Sequence, residues 1–201
     1  MFDLKFDPVE HIYHTKGPND PDWVETPSVS TFISPLYGSG KSYFTPESAL
    51  RGTRVHLATE LDDLGKLDHS SIRGSKIEGH LAAWREAIDG KLEAGIVEVE
   101  CQFAHEIDGV RYCGTVDRIL ELPDGRLAVA DLKTGRLTRR PHAAQVQAYR
   151  LGMEAVLGRE IEECMTIHTS EDGSSMIKKH SGDEWEALWL RQLKNYKKEN
   201  A

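Results

Sequence analysis

Cysteine is scarce. Cys101, Cys113 and Cys164 stand far apart with no CxxC pair, which argues against a disulfide scaffold or a cysteine-rich metal module. No apolar run approaches the roughly 18 residues of a membrane span. The opening Met-Phe-Asp-Leu-Lys-Phe-Asp lacks the basic and apolar regions of a signal peptide. These absences lead to the expectation of a reduced, cytoplasmic setting and no membrane partner. Neither an internal repeat nor a low-complexity linker is visible. Positive charge is not in excess either: 33 acids against 25 Lys and Arg leave a net charge of −8, unlike a protein that coats nucleic acid nonspecifically.

What is present fits one ordinary folded unit of 201 residues, whose core should bury roughly 70% of the unfolded chain's surface without a staple. The acidic average conceals a local exception. From Leu132 to Met153 there are no acids, but there are Lys133, Arg136, Arg139, Arg140 and Arg150. Such a strip suits a phosphate polyanion; charge alone fits a solvated helix face better.

Residues 4–14 and 23–26 have strand character around the turn-rich stretch 17–22, which reads as an N-terminal hairpin. A short helix after Pro27 should stop before Pro35. Thr45-Pro46 is a helix N-cap with Pro at its first position. That helix runs to Leu64, with Leu50, Leu57, Leu61 and Leu64 on one side and Thr53, His56, Glu60 and Asp63 on an adjacent stripe. A second helix spans about 75–93. The period then changes. Residues 96–104, 110–121 and 126–133 read as strands joined by the hairpin signals at 107–109 and 123–125. A helix over 142–157, a buried strand over 162–169 and an amphipathic helix over 183–198 complete the order. The fold class is α/β (α+β), a mixed central sheet with helices on its faces.

The chemistry concentrates in Gly114-Thr115-Val116-Asp117 and Ala130-Asp131-Leu132-Lys133-Thr134-Gly135. Asp131 and Lys133 are two apart on a strand and share a face. A three-residue loop over 123–125 puts Asp117 opposite Asp131 across the hairpin; a two-residue loop would not. Two carboxylates that close repel unless a cation or proton lies between them, and oxygen ligands with room for water suit Mg²⁺. With a lysine beside them, such a set can hydrolyse a phosphodiester. By itself a D-x-K triplet is common on surface hairpins.

The wider pattern resembles the PD-(D/E)XK nuclease superfamily: Gly-x-x-Asp, a Gly turn, then Asp-x-Lys-Thr-Gly at a strand end. Gln145-Val146-Gln147-Ala148-Tyr149 is similar to the Q-h-x-x-Y signature of its RecB-type branch. Arg51-Gly52-Thr53-Arg54-Val55-His56 looks like that branch's helix with a metal-binding histidine, and Pro27-Ser28-Val29-Ser30 like the opening of phage-type members. The resemblance implies an αβββαβ core over 45–170, an N-terminal hairpin and loop over 1–44 and a C-terminal helix over 171–201, all in one nuclease domain. It implies that His56, Asp117 and Asp131 bind Mg²⁺, which Mn²⁺ could replace, with the Leu132 carbonyl as a further ligand. Lys133 would be the catalytic lysine, and Glu100 a second catalytic acid or an edge-strand surface acid. Glu60 would orient the His56 ring. Gln145, Tyr149, Arg51, Arg54, Arg136, Arg139 and Arg140 would meet DNA, although Tyr149 also reads as a core residue. The activity implied is a deoxyribonuclease, first an exonuclease of phage-type recombination or DNA processing. A structure-specific endonuclease and a catalytically silent DNA-binding module are the alternatives. A single-strand annealing or recombination protein would be a partner, and an oligomer fits some relatives.

Three further signals carry less. Gly40-Lys41-Ser42 ends like a phosphate-binding loop, but Pro35 stands where its first glycine belongs. His11 and His14 alternate on a hairpin without cysteine partners. Three scattered cysteines cannot supply the four-cysteine iron–sulfur cluster of some relatives, so none is expected.

Overall fold

The computed structural model describes residues 2–38, 45–135 and 137–200. Alternating inward and outward residues open the chain as β1 (Asp3–Asp7), β2 (Ile12–Lys16) and β3 (Val24–Thr26), paired antiparallel in that order. The stretch read as one strand over 4–14 is therefore two. Pro8 lacks an N–H for the ladder, Asp7 Oδ1 instead accepts the N–H groups of Val9 and Glu10, and His11 turns left-handed with φ 54°. The N-terminal extension is a three-stranded meander, not a hairpin.

Helix α1 (Val29–Ile33) follows, and a 3₁₀ turn over Ser34–Tyr37 carries the winding through Pro35. Helix α2 (Pro46–Asp63) starts as its sequence dictates. Thr45 Oγ1 accepts the Ser48 N–H at 3.1 Å, and Ser48 Oγ accepts the Thr45 N–H at 2.9 Å. Its leucine side does not face inward, because Leu50, Leu57 and Leu64 are exposed. Val55, Ala58 and Thr59 are the buried residues, and the stripe with His56 and Asp63 turns toward the charged groups of the sheet. The second expected helix is two windings in series, α3 (Lys76–Arg85) and a π-helical segment over Glu86–Leu92.

The main sheet consists of β4 (Gly95–Ile107), β5 (Val110–Glu121) and β6 (Leu127–Lys133). Across α4 (Arg139–Leu157) it adds β7 (Glu163–Thr169) and β8 (Ser175–Lys179), and α5 (Asp183–Glu199) closes the chain. The five strands lie in sequence order, β6 and β7 parallel and the other neighbours antiparallel. This is the expected mixed sheet and αβββαβ order, with β8 as an unexpected edge. Ser-Met-Ile-Lys-Lys is partly exposed throughout and has no apolar alternation to announce a strand.

Each face of the sheet carries its own apolar cluster. Under α1, α4 and α5 lie Phe32, Phe103, Tyr112, Ile119, Val146 and Trp189; under α2 and α3 lie Val55, Trp84, Leu120, Leu132 and Ile167. Helix α4 sits close on the first face because two glycines leave space. A Cβ on Gly152 would fall 2.2 Å from the buried Phe103 ring, and one on Gly114 would fall 3.1 Å from both Phe103 and Tyr149. No helix among the described residues is long and apolar enough to cross a membrane.

Candidate active site

The β5–β6 hairpin sets the geometry. The Leu122 N–H donates to the Arg126 carbonyl, Glu121 faces Leu127 and Arg118 faces Ala130, the register of a three-residue loop. Regular pairing ends at that rung, and Asp117 and Asp131 stand at the next step, where the strands part. There the Asp117 side chain takes over a strand's task, its Oδ2 accepting the Leu132 N–H at 2.7 Å. Asp131, buried, pairs through Oδ2 with Lys133 Nζ at 2.5 Å, as their shared face requires. Leu132 points its side chain into the apolar cluster on the other side of the strand.

Helix α2 delivers His56, whose Nδ1 lies 3.5 Å from Asp117 Oδ1. The partner that orients the ring is thus Asp117 rather than Glu60. Glu100 enters from β4 by an unusual backbone, φ 48° in the middle of a strand, a conformation that costs a non-glycine residue energy and that clusters at functional sites. Ligand atoms of His56, Glu100 and Asp117 all lie within 4.8 Å of one another. Among the described residues the three-residue cluster is therefore His56, Glu100 and Asp117, while the Asp131 carboxylate is held beside it by Lys133. Three carboxylates and one imidazole form a mainly hard, oxygen-rich donor set that fits Mg²⁺ or Mn²⁺.

Electrostatics separate the acids. Burial works against ionisation of Asp117, but His56, Lys133 and the Leu132 N–H outweigh it and hold the carboxyl below its ordinary value. Burial raises Asp131; Lys133 opposes the rise and Asp117 adds to it. Burial, then the Asp117 charge, push Glu100 up to about 7. Lys133 is penalised by burial too, yet Asp131 and Asp117 raise it above the ordinary lysine value, so it stands as an ammonium. Carboxylates driven apart in this way are a frequent mark of a reactive site.

One charged residue that sequence reasoning passed over completes the cluster. Arg118 is 1% exposed. Its Nε donates to Asp63 Oδ2 (2.6 Å), Nη1 to Glu100 Oε1 (3.2 Å) and to the Asp117 carbonyl (2.5 Å), and Nη2 to Thr59 Oγ1 (3.4 Å). Its guanidinium lies 5.4 Å from the Trp84 ring centre, and Trp84 Nε1 donates to the Asp63 carboxylate. The signal was available: an arginine next to Asp117 and directly before the buried Ile119-Leu120, and an aspartate on the same helical stripe as His56.

The expected DNA-facing residues divide. Gln145 and Tyr149 do share a face of α4, and Gln145 Nε2 donates to the Tyr149 hydroxyl at 2.8 Å. Both are buried. Tyr149 packs edge-on against Phe103, and burial, helped by Asp131 and Asp117, raises its hydroxyl pKa well above 10, so it is both a core residue and a neighbour of the acids. Arg51 reaches from α2 to the Thr134 carbonyl after β6 at 3.4 Å, and Arg54 is exposed. At the start of α4, Arg140 is exposed and Arg139 lies over the Trp185 ring, 5.0 Å from its centre. Arg150 leaves the basic strip altogether, tied to Glu154, Glu186 and Gln147. Arg136 and Gly40-Lys41-Ser42 lie outside the described residues.

The structure is similar to that of a candidate exonuclease from Eubacterium rectale, with a TM-score of 0.53 and 16% identity over 84% of this chain and 77% of that one, a likeness of fold. A weaker likeness, TM-score 0.37 at 17% identity over 82% of each chain, is to the protein SSO0001. Comparison with curated proteins finds no match. The family model described as the PD-(D/E)XK nuclease superfamily matches residues 58–167, which hold Glu100, Asp117, Asp131, Lys133, Gln145 and Tyr149; His56 falls just before. By sequence and by fold, the chain belongs to the PD-(D/E)XK nuclease superfamily.

Proposed function

We propose that the protein is a metal-dependent deoxyribonuclease that hydrolyses DNA phosphodiesters, working as an exonuclease in DNA recombination or processing. The observation that carries this reading is the gathering of His56, Glu100 and Asp117 within 4.8 Å beside the Asp131–Lys133 pair. His56, Glu100, Asp117 and Asp131 would hold Mg²⁺ or Mn²⁺, which when bound polarises the phosphate and lowers the pKa of water. Lys133 enters as an ammonium. It can donate to the attacking water or to a phosphate oxygen, and it can take up a proton only after releasing its own. Asp131 keeps that ammonium at the site, and Asp117 holds the end of β6 through the Leu132 N–H. Exposed Arg140, with Arg54, would draw the DNA backbone toward a site whose own charge is acidic.

Digestion of end-labelled linear and covalently closed circular DNA in Mg²⁺ tests the reading. Release of mononucleotides from linear DNA alone is expected. Cutting of circles would make the protein an endonuclease. DNA bound without product in either Mg²⁺ or Mn²⁺ would make it a binding module.

A further inference from the structure

We propose that Arg118 is the positioning residue of this site, the buried guanidinium that sets His56, Glu100 and Asp117 at their mutual distances. The inference rests on the metal-site reading above and adds to it the residue that builds the site. Arg118 reaches all three members without being one of them. It bonds the Glu100 carboxylate directly and Asp117 at its backbone carbonyl. It reaches His56 through Thr59, whose Oγ1 accepts from Arg118 Nη2 and donates to the His56 carbonyl at 3.0 Å. One planar group therefore ties together α2, β4 and β5, the elements that supply the three ligands.

Energetics make this arrangement informative. An arginine 1% exposed loses its hydration and must be repaid by aligned partners. Four of its five N–H donors are engaged, and Trp84 covers the guanidinium. A fold needing only packing here would place an aliphatic residue, as it does at Leu120, two positions on and also buried. The left-handed Glu100 fits the same account, since the pull of Arg118 on its carboxylate helps offset the cost of its φ of 48°. Lysine cannot substitute, because three donors on one nitrogen cannot span Asp63, Glu100, the Asp117 carbonyl and Thr59.

The test is Mn²⁺ binding by calorimetry on wild type, Arg118→Lys and Leu120→Ala, each held below its melting transition as followed by circular dichroism. Arg118→Lys keeps the charge and should bind Mn²⁺ about tenfold or more weakly. Leu120→Ala removes packing on the same strand without touching the polar cluster and should bind as wild type even where its melting temperature drops as far. Wild-type affinity in Arg118→Lys overturns the proposal, as does a loss in Leu120→Ala that follows stability. If Arg118→Lys does not fold, Thr59→Val decides. It cuts the link to His56 with little change of shape and should weaken Mn²⁺ roughly threefold; unchanged affinity overturns the proposal. A wild type that binds no Mn²⁺ removes the metal site and this inference together, whereas tight wild-type binding with unaffected variants removes only the inference.

Discussion

The two faces of the five-stranded sheet are built on the same strands and solve opposite problems. Under α1, α4 and α5 the face is apolar and aromatic, with Trp189 edge-on to Phe32 and Tyr112. Under α2 and α3 a smaller apolar cluster surrounds the buried ion pair of Arg118 and Asp63, while Asp131 and Lys133 stand on the opposite side of β6, near Tyr149 of α4. The first face gains stability from every residue it buries. The second gives up some of that gain to hold groups that would be more stable in water, which is the usual condition of a site made for chemistry. Stability and activity should therefore be separable between the apolar clusters and the charged groups at the strand ends.

The sharpest separation is expected at Lys133. Lys133→Met keeps an apolar stem and removes the ammonium, and should lower the cleavage rate by roughly 10²- to 10⁴-fold with the circular dichroism spectrum unchanged. Asp131→Asn should do the same. A wild-type rate in either variant would remove these residues from the chemistry. The apolar side is probed by Leu193→Ala, where a buried leucine of α5 packs into the larger cluster. Urea unfolding should show a loss of about 2–5 kcal/mol, while cleavage by the folded fraction stays at the wild-type rate. Loss of activity in this variant without loss of stability would mean that the apolar cluster and the charged groups are coupled.

A smaller effect should appear with acid at His180, which is 1% exposed, with Nε2 3.0 Å from Thr166 Oγ1. Burial first, then Lys178 and Arg139, push its pKa from 6.5 down to about 4. Below pH 6.5 the unfolded chain binds a proton that the folded chain refuses. The stability this neutral histidine contributes is thus complete above pH 6.5 and is lost as the pH falls toward 4, on the order of 2–3 kcal/mol. His180→Gln should flatten the stability profile across that window; an equally steep profile would assign the acid sensitivity elsewhere. The smallest effect belongs to the surface. In the Asp131→Asn background, where DNA survives titration, Arg140→Ala should make the slope of log K against log salt shallower by about 0.9. An unchanged slope would show that Arg140 is solvated and that DNA approaches by another path.

Where local chemistry decides, the chain was readable. The Pro123–Gly125 loop fixed the register that brings Asp117 to Asp131, and Thr45-Pro46 fixed the start of α2. The apolar periods placed β4 to β7, α4 and α5. What escaped depends on distant partners. Leu50, Leu57 and Leu64 look like a core stripe on a helical projection, but α2 turns them outward and packs through Val55, Ala58 and Thr59, with Thr59 and Asp63 bonded to Arg118. Glu100 reads equally as a catalytic acid or an edge-strand surface acid, and the left-handed backbone that sets it near His56 has no sequence signal. β8 lacks apolar alternation, and its pairing comes from the exposed edge of β7. Periodicity says which residues could share a face; it does not say which face a buried cation will claim.

Gly152 has a reach that its place in the chain conceals. The buried Phe103 ring occupies the space its side chain would fill, so a single added methyl group would have to lift α4 off the sheet. Three residues nearer the start of that helix, about 4.5 Å along its axis, Tyr149 stands beside the acids and accepts from Gln145, one turn further on. The missing carbon thus works as a spacing gauge, fixing from a distance the headroom over Asp117 and Asp131 in which a nucleic acid strand would have to fit.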